Sequence, residues 1–229
     1  MNCACGKATR EVGTVIKNKM FLACAVLLAA PILVVVTASI IRRAAGDNDG
    51  PAASPLALGD QSAEVKSSLP LFHRLNDNYI RGGQPLRGGV RTIEKLGVRT
   101  IVDLRSTYDH TDEIGVAAER IGLRYYWIPL SVWNPPEDEE TQKFLSVVTD
   151  DANGPFFVFC ADGLNRVGEM SAIYRIAHNG WKIEQAMDEM DKLGFNPYYY
   201  SLRSYVWTYA RKYHPKSVPD SARRVSPFE

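Results

Sequence analysis

The sequence predicts an α/β domain, a mainly parallel central sheet with helices on both faces, preceded by one transmembrane helix. Three observations carry this. Between residues 69 and 215, short β-branched or aromatic runs alternate with longer helical stretches, the pattern of a parallel sheet wrapped by helices. One of those runs, "PFFVFC" from Pro155 to Cys160, is apolar almost without interruption, as a strand covered on both faces requires. Ahead of the domain, Met20 to Ile41 is uncharged and long enough to cross a bilayer as a helix.

Taken in order, residues 1–19 form a short segment carrying Lys7, Arg10, Lys17 and Lys19. The apolar run 20–41 follows, and Arg42 and Arg43 close it. The heavier positive flank precedes the run, so the N-terminus is expected in the cytoplasm and the domain after the run outside it, periplasmic if bacterial. "VTA" at Val36 to Ala38 also permits a cleaved secretory signal. Residues 42–68, rich in Gly, Pro, Ala, Asp and Ser, read as a flexible linker, and 216–229 as a disordered tail. Within 69–215, "NYIRGGQP" predicts a strand and turn, "LRGGVRTIEKLG" a helix stopped at Gly97, and "VRTIVDL" a β-branched strand. "DEIGVAAERIG" is a helix, "LRYYWIPL" a strand, and "DEETQKFLSVVTD" a helix with an acidic first turn. After "PFFVFC" the chain turns helical through "RVGEMSAIYRIAHNG", "KIEQAMDEMDKLGF" and "YYYSLRSYVWTYARKYH", whose aromatics suit a helix packed on the core.

Composition narrows the function. With 229 residues, 45% of them hydrophobic, the chain can bury one good core. A formal net charge of +1 with scattered basic residues supplies no field for nucleic acid. His73, His110, His178 and His214 lack metal-ligand spacing, so no metal or cofactor is expected. Cys3, Cys5 and Cys24 precede or lie within the apolar run, leaving Cys160 without a disulfide partner in its own domain. It is therefore a buried inert thiol or a reactive one.

Its surroundings favour reactivity. Cys160 ends the most apolar strand, where parallel sheets bind ligands, and the short loop after it opens a helix. Loop N–H groups and the positive end of that helix converge on one small space that stabilises anions, a thiolate included. Gly163 lets the loop curl, and Arg166 can grip two oxygens of one tetrahedral anion. C-x5-R alone is a weak signal; the glycine midway, the strand before and the helix after make it specific.

"CADGLNRVG" resembles the phosphate-binding loop HCxxGxxR[ST]G of cysteine-dependent protein tyrosine and dual-specificity phosphatases. "NYIRGGQP", "GVRTIVDLR" and "IPLSVWNPP" resemble landmarks of their bacterial dual-specificity-like branch, over about residues 72–213. The resemblance implies that Cys160 is the nucleophile that becomes phosphocysteine and Arg166 the phosphate clamp. The main chain of Ala161, Asp162, Gly163, Leu164, Asn165 and Arg166 would form the cradle. Two departures stand out: Phe159 replaces the usual histidine, and Val167 the usual hydroxyl residue, which in the family speeds release of the phosphoryl group from sulfur. A slow second step is expected.

The family also supplies an aspartic acid to protonate the leaving oxygen, from a loop that here reads "SVWNPPEDEE", with Val132 at the family's position. Asp138 is the expected acid; Glu137 adjoins it, and Asp109 and Asp112 in the loop after "VDLR" are the other candidates. Asp103 and Arg105 are expected to pair structurally. The expected function is hydrolysis of a phosphorylated protein or small phosphomonoester through phosphocysteine. The alternatives are a phosphate-binding domain of weak turnover, or a phosphatase of a membrane lipid phosphate.

Overall fold

The computed structural model describes residues 62–223. The apolar run 20–41, with its expected membrane span, lies outside the described residues, among which no helix is long and apolar enough to cross a membrane. A five-stranded sheet has the order β1-β2-β5-β3-β4, with β1 at His73–Asn76, β2 at Tyr79–Gly83, β3 at Thr100–Asp103, β4 at Arg124–Trp127 and β5 at Phe156–Cys160. Only β1 against β2 is antiparallel; the β2–β5, β5–β3 and β3–β4 ladders are parallel. The central strand is thus the one whose sequence is most apolar.

Side-chain alternation along β5 divides the core. Phe156, Val158 and Cys160 join one apolar cluster, while Phe157 and Phe159 join the other. The first cluster is closed by α4 (Asp138–Val148), α5 (Asn165–Ala177), α6 (Ile183–Lys192) and α7 (Tyr200–Tyr213). The second is closed by α1 (Ala63–Ser68), α2 (Gly89–Lys95) and α3 (Glu113–Arg120). Burying a phenylalanine fully contributes about 1.5–3 kcal/mol, so Phe156, Phe157 and Phe159 together anchor this strand and the loop attached to its end.

Local chemistry sets the helix ends. Gly97, at φ +79°, releases the chain after α2 as "KLG" predicts. The Glu137 N–H donates to the Glu140 carboxylate at 2.8 Å, one half of the capping box that starts α4. Helix α5 is buried from Asn165 through Ile176, packed between the sheet and α6 and α7.

The structure corrects both boundaries of the domain. The expected linker 42–68 ends in α1, where the Ser62 hydroxyl caps the helix and Val65 and Ser68 are buried; Ser68 bonds Thr92 of α2 at 2.9 Å. The expected tail from 216 continues a 3-10 turn at Pro215–Ser217, buries Val218 and adds α8 at Asp220–Arg223. Both segments lie in composition that reads as linker, and two or three apolar side chains were enough to hold each one down. Strand β1 carries little signal in the sequence, because "HRLN" buries only Leu75. The aromatics of α7 and the turn before it divide as well: Tyr209 is buried, Tyr205 and Trp207 pack partly on the core, and Tyr198 and Tyr200 are exposed.

Candidate active site

Cys160 pairs with Gly83 in the β2–β5 ladder and is 1% exposed. The loop 161–164 then turns directly into α5. Three of its carbonyls face outward toward β2. The Gln84 N–H donates to Ala161 O at 3.3 Å, and the Arg81 Nη2 donates to Gly163 O at 2.9 Å and Leu164 O at 3.2 Å. In a trans peptide the N–H points opposite the carbonyl, so the N–H groups of Asp162, Leu164 and Asn165 are turned away from these donors, toward the inside of the loop. An amide cradle results, held from behind by a cation.

Sequence reasoning missed Arg81 as part of the site. Its charge within "YIRGG" is the signal, since a fully buried arginine on an interior strand needs a polar partner nearby. Gly163 adopts φ +76°, and a Cβ there would lie 2.5 Å from Gly83 N, so the tight turn against β2 requires glycine.

Arg166 begins the helix almost completely buried. Its Nη1 donates to Asp109 Oδ2 at 2.8 Å, while its Nε is buried without a partner among the described residues. Ser106 also donates to that Asp109 oxygen, at 2.9 Å. Burial pulls the Asp109 carboxyl upward, but the hydrogen bonds from Arg166 and Ser106 outweigh it and hold the group below its ordinary range. Beside it opens a cavity of about 630 Å³, lined by Tyr108, Asp109, Leu130, Val132, Trp133 and Glu140 among others. Tyr108 and Trp133 are largely exposed at its rim.

The expected acid, Asp138, is committed elsewhere. In the first turn of α4 its carboxylate takes hydrogen bonds from Lys212 and from the Tyr213 hydroxyl at 2.9 Å, and both lower its pKa. It does not line the cavity, whereas Asp109 does. Spacing along the chain points to Asp138; the loop after β3 instead carries Asp109 onto the clamp. Asp112 is exposed beside His110. Asp103 and Arg105 form the expected buried pair, at 2.6 Å. Phe159, in place of the family histidine, points away from Cys160 into the second cluster, with the Arg105 guanidinium 5.3 Å from its ring. Val167 is fully buried. No metal-binding group of His, Cys, Asp and Glu occurs among the described residues; His110 stacks on Trp127 instead.

Strand, cradle and buried guanidinium match the phosphate-binding loop that the sequence resembles. The model of a family described as a DSP-PTPase phosphatase fused to NAD+ kinase matches residues 66–201, and the chain belongs to that family. It is 27% identical over 131 residues to the dual specificity protein phosphatase TpbA of Pseudomonas aeruginosa strain UCBPP-PA14, covering 57% of each chain. It is 30% identical over 105 residues to the probable chloroplastic NAD kinase 2 of Oryza sativa, 44% of this chain but 11% of that protein. The chain therefore spans little more than half the length of the first relative and a small part of the second. Among solved structures, P. aeruginosa TpbA superposes with a TM-score of 0.53 at 23% identity, covering 61% of this chain and 84% of that one. The catalytic core of the S. cerevisiae PP-IP phosphatase SIW14, crystallised with citrate, gives 0.54 at 19% identity, covering 62% and 88%. These similarities show the same fold.

Proposed function

We propose that this chain hydrolyses phosphate monoesters through a phosphocysteine on Cys160, acting on phosphotyrosine-like or other protein phosphates. The observation that carries it is the Cys160–Arg166 loop, whose carbonyls are turned outward onto Arg81 and Gln84 so that its N–H groups face an incoming phosphate. The substrate's phosphorus is attacked in line by the Cys160 thiolate. Charge developing on the equatorial oxygens is met by the loop amides and the Arg166 guanidinium, donors fixed before the reaction begins. Water then cleaves the S–P bond and releases phosphate. The rim aromatics Tyr108 and Trp133 suit an aryl phosphate.

The test is an assay of the 62–223 fragment on p-nitrophenyl phosphate. Turnover is expected in the wild type and none in Cys160→Ser; activity that survives that substitution would refute the mechanism.

A weak-turnover reading rests on Val167, which buries methyl groups where the family places a hydroxyl. Under it, the domain binds tungstate but shows a burst of p-nitrophenol followed by little steady release. The apolar run 20–41 further leads us to propose a membrane anchor with the domain outside the cytoplasm, a placement that would also bring lipid phosphates within reach. A C-terminal phosphatase reporter active only outside the cytoplasm checks the sidedness.

A further inference from the structure

We propose that Asp109, not a carboxylate of the loop after β4, is the general acid of this enzyme, and that before substrate binds it takes the place of the phosphate on Arg166. The inference rests on the phosphatase reading above and assigns a step that reading leaves without a residue. Val132 occupies the position where the resemblance places the acid, and Asp138 is bound to Lys212 and Tyr213. Of Asp109, Asp112, Glu137 and Asp138, only Asp109 both touches the clamp and lines the cavity where a leaving group would lie.

Its loop is held in place. Arg105, locked by Asp103, donates to Asp109 O at 3.4 Å and to Thr111 O at 3.2 Å, and the Tyr125 hydroxyl ties Asp103 to β4 at 2.6 Å. Arg105 is thus a positioning residue for the acid.

The charges facing Asp109 make substrate binding load it. Arg166 holds it ionised before substrate arrives; Glu140 of α4 lines the same cavity, and Tyr108, Ser106 and His110 flank it on its own loop. A phosphate group on Arg166 takes over the cation and sets a second negative charge beside the carboxylate. Both changes favour its protonated form. As Cys160 Sγ bonds phosphorus and the ester P–O bond breaks, the departing oxygen takes the Asp109 proton. The carboxylate left behind then accepts a proton from the water that attacks phosphorus and expels the thiolate, which restores the acid.

The test compares wild type, Asp109→Asn, Asp109→Glu and Asp138→Asn on phenyl phosphate and p-nitrophenyl phosphate, with tungstate binding measured in parallel. For Asp109→Asn we expect kcat to fall about 100-fold or more on phenyl phosphate, whose leaving group needs the proton, and far less on p-nitrophenyl phosphate. Tungstate should bind more tightly to it, because its competitor for Arg166 is gone, whereas a purely structural role would weaken binding. Asp109→Glu should restore part of the phenyl phosphate activity. An active wild type whose Asp109→Asn form is no more sensitive to the leaving group than the wild type, or an Asp138→Asn form that acquires that sensitivity, overturns the assignment alone. A wild type without turnover overturns the phosphatase reading and this assignment with it.

Discussion

Val167 and Glu169 are two residues of α5 whose environments predict measurable consequences. Val167 is packed in the apolar cluster below the cradle. Val167→Thr keeps its shape and restores a hydroxyl one residue from the clamp. We expect a several-fold rise in steady-state kcat with an unchanged burst, read by stopped-flow release of p-nitrophenol, at about 1 kcal/mol of stability for the buried hydroxyl. Glu169 is fully buried, and both its carboxylate oxygens lack partners among the described residues. Burial first, and the nearby Glu140 second, raise its pKa well above the ordinary 4.5. Between those two values the folded chain keeps a proton that the unfolded chain has lost. Its stability therefore falls as pH rises above about 4.5. Glu169→Gln removes that dependence. Its melting temperature is expected to exceed the wild type's at about pH 8, by the equivalent of about 1–3 kcal/mol, and to match it near pH 4. Nothing in "RVGEM" announces this burial: a glutamate on a helix ordinarily faces water, and only α4 and α7 closing over it decide otherwise.

The β5–loop–α5 unit is where local sequence and site coincide. A buried strand, a glycine at positive φ and a helix start arise from residues adjacent in the chain, so Cys160, Gly163 and Arg166 are legible in the sequence. Gly163→Ala places a Cβ against Gly83 N in a left-handed conformation. Its cost is expected at about 1–3 kcal/mol with loss of tungstate binding, measured by thermal melts and calorimetry. The brace on the loop comes from β2. Arg81→Met removes both bonds to the loop carbonyls while keeping the apolar stem, and should weaken tungstate affinity at least tenfold, since one such bond, at about 1.5 kcal/mol or more, already corresponds to that factor. The acid was harder to read. A carboxylate near an aromatic and two prolines is a pattern of neighbours along the chain, whereas Asp109 reaches Arg166 across 57 residues, from the loop beyond the carboxyl end of β3.

For the domain as a whole, the ends of the folded unit lie beyond the composition-based boundaries. A fragment cut at 69–215 loses α1, the Ser68–Thr92 bond and the buried Val65 and Val218. With about 1.5–3 kcal/mol for each buried valine, it should melt at least several degrees below the 62–223 fragment in a calorimetric scan.

Alternation of strand and helix, the apolar central strand and the cysteine loop were set by residues close in sequence, where periodicity and turn chemistry act. The parallel order β2-β5-β3 placed that loop beyond the carboxyl edge of the sheet. Tertiary structure alone decided which distant side chains converge on it: Arg81 behind the loop, Asp109 on the clamp and Asp138 drawn away to Lys212. Those pairings depend on the distance and dielectric between charges brought together by packing, and neither quantity is encoded in how far apart two residues stand along the chain.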